Sequence, residues 1–258
     1  MGFAIGSSKD QELAIGGVKV GGFAIGSTKV WSQGKTKQLY MVGTSGSTRG
    51  LWISSTTGLT RIGSSVGFGY QDSIGENLPL GIEYFNGVLY MLGGRFDALF
   101  SLNTDTGVAT RIGTADIASQ LPTDLTAHNG KLYMVENDSD SLWTLDVSDA
   151  SRTLVGRINH SNVTGIASHN GSVYMVGDSP DALYSLDVNT ARATRIGSTD
   201  RFGANIHSPE VLVSHNGELL MAGTTGSHDS IYSLNTDTGV ATRTRYRSVT
   251  LVGGLASF

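Results

Sequence analysis

Ten residues of this 258-residue chain bring aromatic rings and cationic side chains into the segments that separate its apolar runs. A ring supplies apolar contact area and a neighbouring charge supplies directed hydrogen bonds, which suits recognition of a sugar or a protein surface. We predict a ligand-binding surface formed by Phe68, Tyr70, Arg95, Phe96, His160, Arg201, Phe202, His207, Arg245 and Tyr246. The alternative is that the aromatic residues only anchor their loops against the rest of the fold.

Three histidines recur at one position of a repeated pattern, each directly before an Asn-Gly pair: His128, His169 and His215. Metal ligands must converge within about 2 Å of one ion, whereas equivalent positions of a repeat are separated in space. We interpret these histidines as structural and predict no metal site and no cofactor. The chain contains no cysteine, which excludes disulfides, thiolate ligands and cysteine nucleophiles.

The acidic residues give little support to catalysis. A calcium-centred lactonase or esterase needs several carboxylates on inner strands, and only Glu83, Asp124 and Glu210 lie near the inner strands predicted below. Serine is abundant, but no nucleophile-elbow motif accompanies it. We expect a non-enzymatic protein with no catalytic residues, and keep a channel-centred hydrolase or lactonase as an alternative.

The elements that position these residues are repeated along the chain. The phrases FNGVLYMLGG, HNGKLYMVEN, HNGSVYMVGD and HNGELLMAGT place turn glycines at 87, 130, 171 and 217, with spacings of 43, 41 and 46 residues. Each phrase is followed by a segment such as DALYSLD, a turn such as NTDTG and a segment such as ATRIG. Four-stranded units with a period of about 40–50 residues are typical of a β-propeller.

Each unit is predicted to contain four strands, a to d, from the centre outwards. Asn-Gly between two apolar runs indicates a tight a–b hairpin, because both residues tolerate positive φ. The LYMV run is apolar at consecutive positions, so strand b should be covered on both faces. Strand d carries an arginine in most repeats, which we interpret as a solvated charge that protects an outer edge.

The two ends of the chain determine the number of blades. The C-terminal LVGGLASF matches an inner strand, and residues 2–28 align with strands b, c and d of a complete unit. This favours a single propeller domain of residues 1–258, with six blades and with N- and C-terminal strands paired in one of them. The alternative is five blades, in which the C-terminal strand completes the blade that begins at Gln38 and residues 1–36 form an added arm.

The phrases LYMVG, DALYSLD and NTDTGVATRIG resemble the near-identical tandem blades of repetitive β-propellers of uncharacterised function. The resemblance covers essentially the whole chain. It implies an all-β propeller fold, but no particular activity, because propellers serve as lectins, hydrolases and scaffolds alike.

Charge and hydropathy narrow the choice of partners. The formal charge of -4 is not concentrated in runs of one sign, so we do not expect nucleic-acid binding. The sequence contains no recognisable signal peptide and no apolar run long enough for a membrane helix. We expect a binding module for a carbohydrate or a protein surface that uses the variable b–c and d–a connections. A structural or self-assembling repeat protein is the alternative.

Overall fold

The computed structural model describes residues 38–258 except 46–47, 56–57, 64–67, 69–79, 94–97, 115–116, 118–121, 178–179, 199, 205, 226–227, 247–249 and 258. Of residues 1–37 it describes only the backbone of 14–15, 18–19, 22–25 and 28–32. The chain divides into two compact units, Met1–Thr36 and Lys37–Phe258. The first unit contains two antiparallel pairs: β1 (Ala14–Ile15) with β2 (Val18–Lys19), and β3 (Gly22–Ile25) with β4 (Thr28–Ser32).

The second unit is a β-propeller of five antiparallel sheets, each of four strands. Blade 1 is β8 (Ile82–Phe85), β9 (Val88–Gly93), β10 (Ala98–Leu102) and β11 (Ala109–Ile112). Blade 2 is β12 (Pro122–His128), β13 (Lys131–Glu136), β14 (Ser141–Leu145) and β15 (Arg152–Arg157). Blade 3 is β16 (Val163–His169), β17 (Ser172–Gly177), β18 (Ala182–Asp187) and β19 (Arg192–Arg195). Blade 4 is β20 (His207–His215), β21 (Glu218–Thr225), β22 (His228–Leu234) and β23 (Ala241–Tyr246).

Blade 5 is built from both ends of this unit. Its inner strand is β24 (Thr250–Ser257), followed outwards by β5 (Leu39–Ser45), β6 (Thr48–Ser55) and β7 (Gly58–Ile62). The inner strands contact one another in the cyclic order β8, β12, β16, β20 and β24, and β24 contacts β8 again. The pairing of β24 with β5 therefore closes the ring, as in the five-blade alternative.

The prediction of six blades is wrong, and the five-blade alternative is correct. The last strand pairs with β5, from Thr250 opposite Thr44 to Ser257 opposite Leu39. Strand β4, which a six-bladed ring would need as the inner strand beside β5, pairs instead with β3. Because β24 occupies the inner edge of β5, the five blades are complete without residues 1–36.

Apolar side chains from neighbouring blades form the core. In β13, Leu132, Met134 and Val135 have no exposed surface, which confirms that strand b is covered on both faces. At the rim, the glycine of the ATRIG phrase lies against the c–d turn of the next blade. A Cβ atom at Gly113 would lie 2.1 Å from the carbonyl oxygen of Asp149, and one at Gly197 would lie 2.0 Å from that of Thr238. Glycine at these positions therefore allows adjacent blades to meet.

The connections lie on two sides of the propeller. The a–b and c–d turns form one side, called the turn face, and the b–c and d–a connections form the other, called the loop face. Within the described residues, no helix is long and apolar enough to cross a membrane.

Candidate functional site

Two carboxyl groups lie at the centre of the ring of inner strands. Asp124 is 1% exposed, and its two oxygens accept hydrogen bonds from the backbone N–H of Leu125 at 2.9 Å and of Ile166 at 3.0 Å. The second donor belongs to the neighbouring blade. An inner strand has no sheet partner on its axial side, so N–H groups that point there need another acceptor. Asp124 provides that acceptor and links blades 2 and 3.

Glu83 on β8 and Thr126 on β12 are also acceptors for backbone N–H groups of the inner strands. They lie one layer of side chains further along the axis than Asp124. An Oε1 atom of Glu83 accepts from the backbone N–H of Tyr84 at 3.0 Å, and the hydroxyl oxygen of Thr126 accepts from the N–H of Ser168 at 2.8 Å. Removal from water raises the pKa of Glu83 to about 8. Burial also raises the pKa of Asp124 well above its usual value, and the neighbouring Glu83 adds to that shift.

Acids with raised pKa values often mark catalytic sites, but they also occur in structural networks. Here both carboxyl groups are occupied by the backbone of the inner strands, and Asp124 is almost completely enclosed. Among the described residues, no group of three or more acidic or histidine side chains is arranged to hold a metal ion. We therefore assign a structural role to Asp124 and Glu83, which is to accept hydrogen bonds from the inner strands around the propeller axis.

Replacement of Glu83 by glutamine should change how stability depends on pH. The pKa of Glu83 is about 8 in the folded state, which therefore holds the proton up to about that pH, whereas the unfolded chain releases it near pH 4.5. The folded state therefore binds more protons between these values, and the free energy of unfolding should fall by roughly 2–4 kcal/mol as the pH rises through this window. Glu83→Gln should remove that fall.

Urea unfolding at pH 5, 7 and 9 measures the effect, with Glu218→Gln at an exposed position as the control. If wild type and Glu83→Gln lose the same stability between pH 5 and pH 9, the protonated state assigned to Glu83 is wrong.

The three repeated histidines join blades. The Nδ1 atoms of His128, His169 and His215 lie 2.9, 2.8 and 2.7 Å from the hydroxyl oxygens of Ser168, Ser214 and Ser257, which belong to the next blade in each case. The side-chain amide nitrogen of the following asparagine lies 3.0 Å from Nε2 each time. An amide nitrogen only donates, so Nε2 accepts, and Nδ1 carries the proton that is donated to serine.

Blade 1 replaces this hydrogen bond by an apolar contact. Phe85 stands at the histidine position, and Ala127 of blade 2 stands at the serine position. Both side chains belong to one apolar cluster. Histidine thus occurs with serine at three junctions between blades, and phenylalanine occurs with alanine at the junction of blades 1 and 2.

We expect His169→Phe to lower the free energy of unfolding by ~1–2 kcal/mol, because Ser214 and Asn170 each lose a hydrogen-bond partner. The double variant His169→Phe, Ser214→Ala copies the blade 1 junction and should recover at least half of the loss. Burial lowers the pKa of His169. The wild-type advantage should therefore be present above the unfolded value of about 6.5 and should decline as the pH falls below it.

A double-mutant cycle in urea at pH 8 and pH 5 measures the coupling, with the exposed Ser172→Ala as the control. Additive effects of the two substitutions would contradict a direct contact between His169 and Ser214.

On the loop face, three connections meet at blade 3. The Nε2 atom of His160, in the connection between blades 2 and 3, lies 2.7 Å from the hydroxyl of Tyr184 on β18. The two rings pack edge to face, with centroids 4.3 Å apart. The hydroxyl of Tyr184 also lies 3.4 Å from the carbonyl oxygen of Pro180, in the b–c connection. His160 and Tyr184 thus tie two connections together across a blade junction.

The third connection, between blades 3 and 4, contains Asp200 and Arg201 and brings charged groups close to Tyr184. A guanidinium nitrogen of Arg195 lies 2.5 Å from a carboxylate oxygen of Asp200, and the backbone N–H of Arg201 donates to the carbonyl oxygen of Asp181 at 2.9 Å. Charges on Arg195, Asp200 and Asp181 are close enough to Tyr184 to influence its pKa, which burial raises. We call His160, Asp181, Tyr184, Arg195, Asp200 and Arg201 the blade 3 cluster.

The backbone holds Arg201 at the surface. Arg201 and Phe202 have φ angles of 53° and 55°, a conformation uncommon for residues other than glycine. Phe202 is fully buried and belongs to the core cluster that contains Leu183 and Met221, whereas Arg201 is exposed. The buried ring thus fixes the turn, and the turn directs the preceding arginine outwards.

The predicted ligand-binding residues are therefore distributed unequally. His160 and Arg201 lie in the blade 3 cluster, whereas Phe68 and Phe202 are completely buried and offer no ring to a ligand. Three others lie outside the described residues: Tyr70, Arg95 and Phe96. Three lie at strand positions where only the backbone is described: His207 in β20, and Arg245 and Tyr246 in β23.

Sequence reasoning missed Tyr184 and the ion pair of Arg195 with Asp200. Tyr184 occupies the same position as Phe100, Trp143 and Tyr232 in other blades, so its pattern suggested only core packing. An arginine recurs in strand d at the position of Arg195, and this recurrence alone indicates only a solvated edge charge. A useful signal was available in Asp200, an acidic residue five positions after Arg195 in a variable connection.

Known structures show similarity at the level of the fold. The chain is similar to one in a nidogen/laminin complex, with a TM-score of 0.57, 10% sequence identity, and coverage of 86% of this chain and 98% of that one. It is also similar to a protein of unknown function from Bacteroides thetaiotaomicron, with a TM-score of 0.56, 12% identity, and coverage of 81% of this chain and 58% of that one. No family model matches the sequence, and no curated protein matches it. At these identities the similarity supports the propeller fold alone.

Proposed function

We propose that the protein is a non-enzymatic recognition module that binds a protein partner through the blade 3 cluster on the loop face. One observation carries the proposal: the connection between blades 2 and 3, the b–c connection of blade 3 and the connection between blades 3 and 4 converge near Tyr184. They bring charges of both signs beside one aromatic pair. Variable connections on a rigid scaffold are the usual place for recognition.

Preorganisation supports this assignment. Binding is weakened when loops must be ordered on contact, so a surface that is already fixed retains more of its interaction energy. Phe202 in the core, the hydrogen bond of Arg201 to Asp181, and the ion pair of Arg195 with Asp200 all fix this part of the surface. The turn that presents the exposed Arg201 side chain then needs no ordering when a partner binds.

The chemistry of the cluster favours a polar, mixed-charge partner surface. Arginine is enriched at the energetically important centres of protein interfaces. Tyr184 is only 5% exposed, so it supports this surface, and Arg201 offers the contact. Arg201 suits a carboxylate of the partner, and Asp181 and Asp200 suit a cation. The similar chain from the nidogen/laminin complex is part of a protein complex, which also supports a protein partner. A carbohydrate, with hydroxyl groups for the same side chains, is the alternative ligand.

A groove on the turn face provides an internal comparison. The groove has a volume of ≈ 330 Å³, and its lining includes His128, Asp187 and Arg192. His128 is occupied by Ser168, and Asp187 holds its own turn through Asn189. Because the recurring polar side chains of this groove stabilise the fold, the blade 3 cluster is the better candidate.

An array of folded proteins and a glycan array, both probed with the purified chain, test the proposal. Any interaction found should weaken at least about tenfold with Arg201→Glu and persist with Arg192→Glu, since a charge reversal at an interface centre costs ~1.4 kcal/mol or more. Circular dichroism controls for folding. Binding that is insensitive to Arg201→Glu and lost with Arg192→Glu would move recognition to the turn face. Binding to glycans alone would replace the protein partner by a carbohydrate.

Self-assembly is a second candidate function, favoured because residues 1–36 form a compact unit of their own and the twenty strands of the five blades all come from the second unit. In that case the full chain should associate in sedimentation experiments and a chain without residues 1–36 should remain monomeric. A monomeric full chain at all concentrations would contradict it.

A further inference from the structure

The four Asn-Gly turns of the propeller share one geometry. Asn86, Asn129, Asn170 and Asn216 have φ angles of 49°, 47°, 48° and 51°, and the glycines that follow have angles of 85°, 73°, 80° and 81°. All four asparagines are exposed. A Cβ atom added at any of the four glycines would meet nothing within 4 Å, so no neighbouring group covers these turns on that side.

The turns differ in what holds the asparagine side chain. In three of them the side-chain amide donates to the histidine before it, with 3.0 Å between the amide nitrogen and Nε2. Asn86 follows Phe85, whose ring has no lone pair to accept a hydrogen bond. Among the described residues, nothing pairs with the Asn86 side chain.

We propose that Asn86 is a site of spontaneous covalent modification, and that the histidines protect the three equivalent asparagines from the same reaction. The backbone nitrogen of Gly87 attacks Cγ of Asn86, a C–N bond forms, and the side-chain nitrogen leaves as ammonia with the proton from the glycine nitrogen. Water then opens the resulting succinimide at either carbonyl carbon and yields aspartate or isoaspartate. Only water is consumed, and no oxidant, metal or enzyme takes part.

The hydrogen bond to histidine sets the difference in rate. The asparagine side chain must rotate away from Nε2 before its Cγ can meet the glycine nitrogen, so a protected turn breaks this bond on the way to the transition state. A net contribution of ~1 kcal/mol per hydrogen bond corresponds to a rate about fivefold lower. Glycine permits ring closure at all four sites because it has no side chain to obstruct it, so it does not distinguish them.

Modification would alter the turn between β8 and β9. Aspartate adds a negative charge, and isoaspartate adds one carbon to the main chain of a hairpin that admits only two residues. Blade 1 would therefore be the first blade to change as the protein ages. This inference is independent of the proposed binding function.

Peptide mapping by mass spectrometry tests the proposal. The folded protein is incubated at pH 8 and 37 °C (about physiological temperature), and the gain of about one mass unit is followed in the four peptides. The same measurement in 6 M guanidinium gives the intrinsic rate of each sequence; about this concentration unfolds most domains. We expect the ratio of folded to unfolded rate to be about fivefold higher at Asn86 than at the other three.

Two variants exchange the environments. His169→Phe with Ser214→Ala gives Asn170 the surroundings of Asn86 and should raise its rate about fivefold, and Phe85→His with Ala127→Ser should slow Asn86 by a similar factor. Equal ratios at all four turns, or a faster reaction beside histidine, would overturn the proposal. The second result would make the histidine a base that accelerates ring closure.

Discussion

A chain that lacks residues 250–258 is expected to lose cooperative folding. Strand β24 provides the inner strand of blade 5, and Leu255 and Ala256 are 2% and 1% exposed. Its removal exposes the inner edge of β5 and eliminates the contacts that β24 makes with β8 and β20. It also removes Ser257, the hydrogen-bond partner of His215. We expect a loss of more than ~5 kcal/mol, comparable to the whole stability of a typical domain.

The matched control is deletion of residues 1–36. The five blades are complete without them, so the urea midpoint of the propeller should change little. Circular dichroism and tryptophan fluorescence during urea unfolding measure both chains. If deletion of residues 1–36 abolished the cooperative transition while deletion of residues 250–258 did not, the ring would be closed by the N-terminal segment and the five-blade arrangement would be wrong.

Asp124→Ala is expected to destabilise the propeller by ~2–4 kcal/mol, because the buried N–H groups of Leu125 and Ile166 lose their acceptor at the axis. Asp124→Asn retains one acceptor oxygen and should cost about half as much.

Urea unfolding at pH 5 and pH 9 measures these effects. Asp237→Ala, at an exposed position in a c–d turn, is the control and should change stability by less than about 0.5 kcal/mol. An Asp124→Ala variant as stable as the control would show that water replaces the carboxylate at no cost, and the assigned role at the axis would be incorrect.

The repeat pattern did not reveal the role of Asp124. Asp124 stands where the other inner strands carry glycine or valine, at Gly81, Gly165, Val211 and Gly254. In the sequence it was one of three acids near an inner strand. Its two backbone partners are known only because the ring brings β12 and β16 together, 42 residues apart for Asp124 and Ile166.

The sequence predicted only part of the blade 3 cluster. His160 and Arg201 were selected because they stand in variable connections, and both lie in the cluster. Phe68 and Phe202 were selected by the same reasoning but point into the core, where each is 0% exposed. Composition distinguishes a loop from a strand, but it does not determine which side of a loop faces the blades.

The sequence by itself determined the repeated unit. Asn-Gly pairs specify tight hairpins through their own φ preferences, and consecutive apolar residues specify strands covered on both faces, so four-stranded blades follow from local information. The number of blades was decided only by the tertiary structure. LVGGLASF fits the inner edge of any blade, and pairing with β5 rather than with the N-terminal segment depends on ring closure between residues more than 200 positions apart. The roles of the histidines and of Asp124 also required the fold, because each hydrogen bond joins adjacent blades.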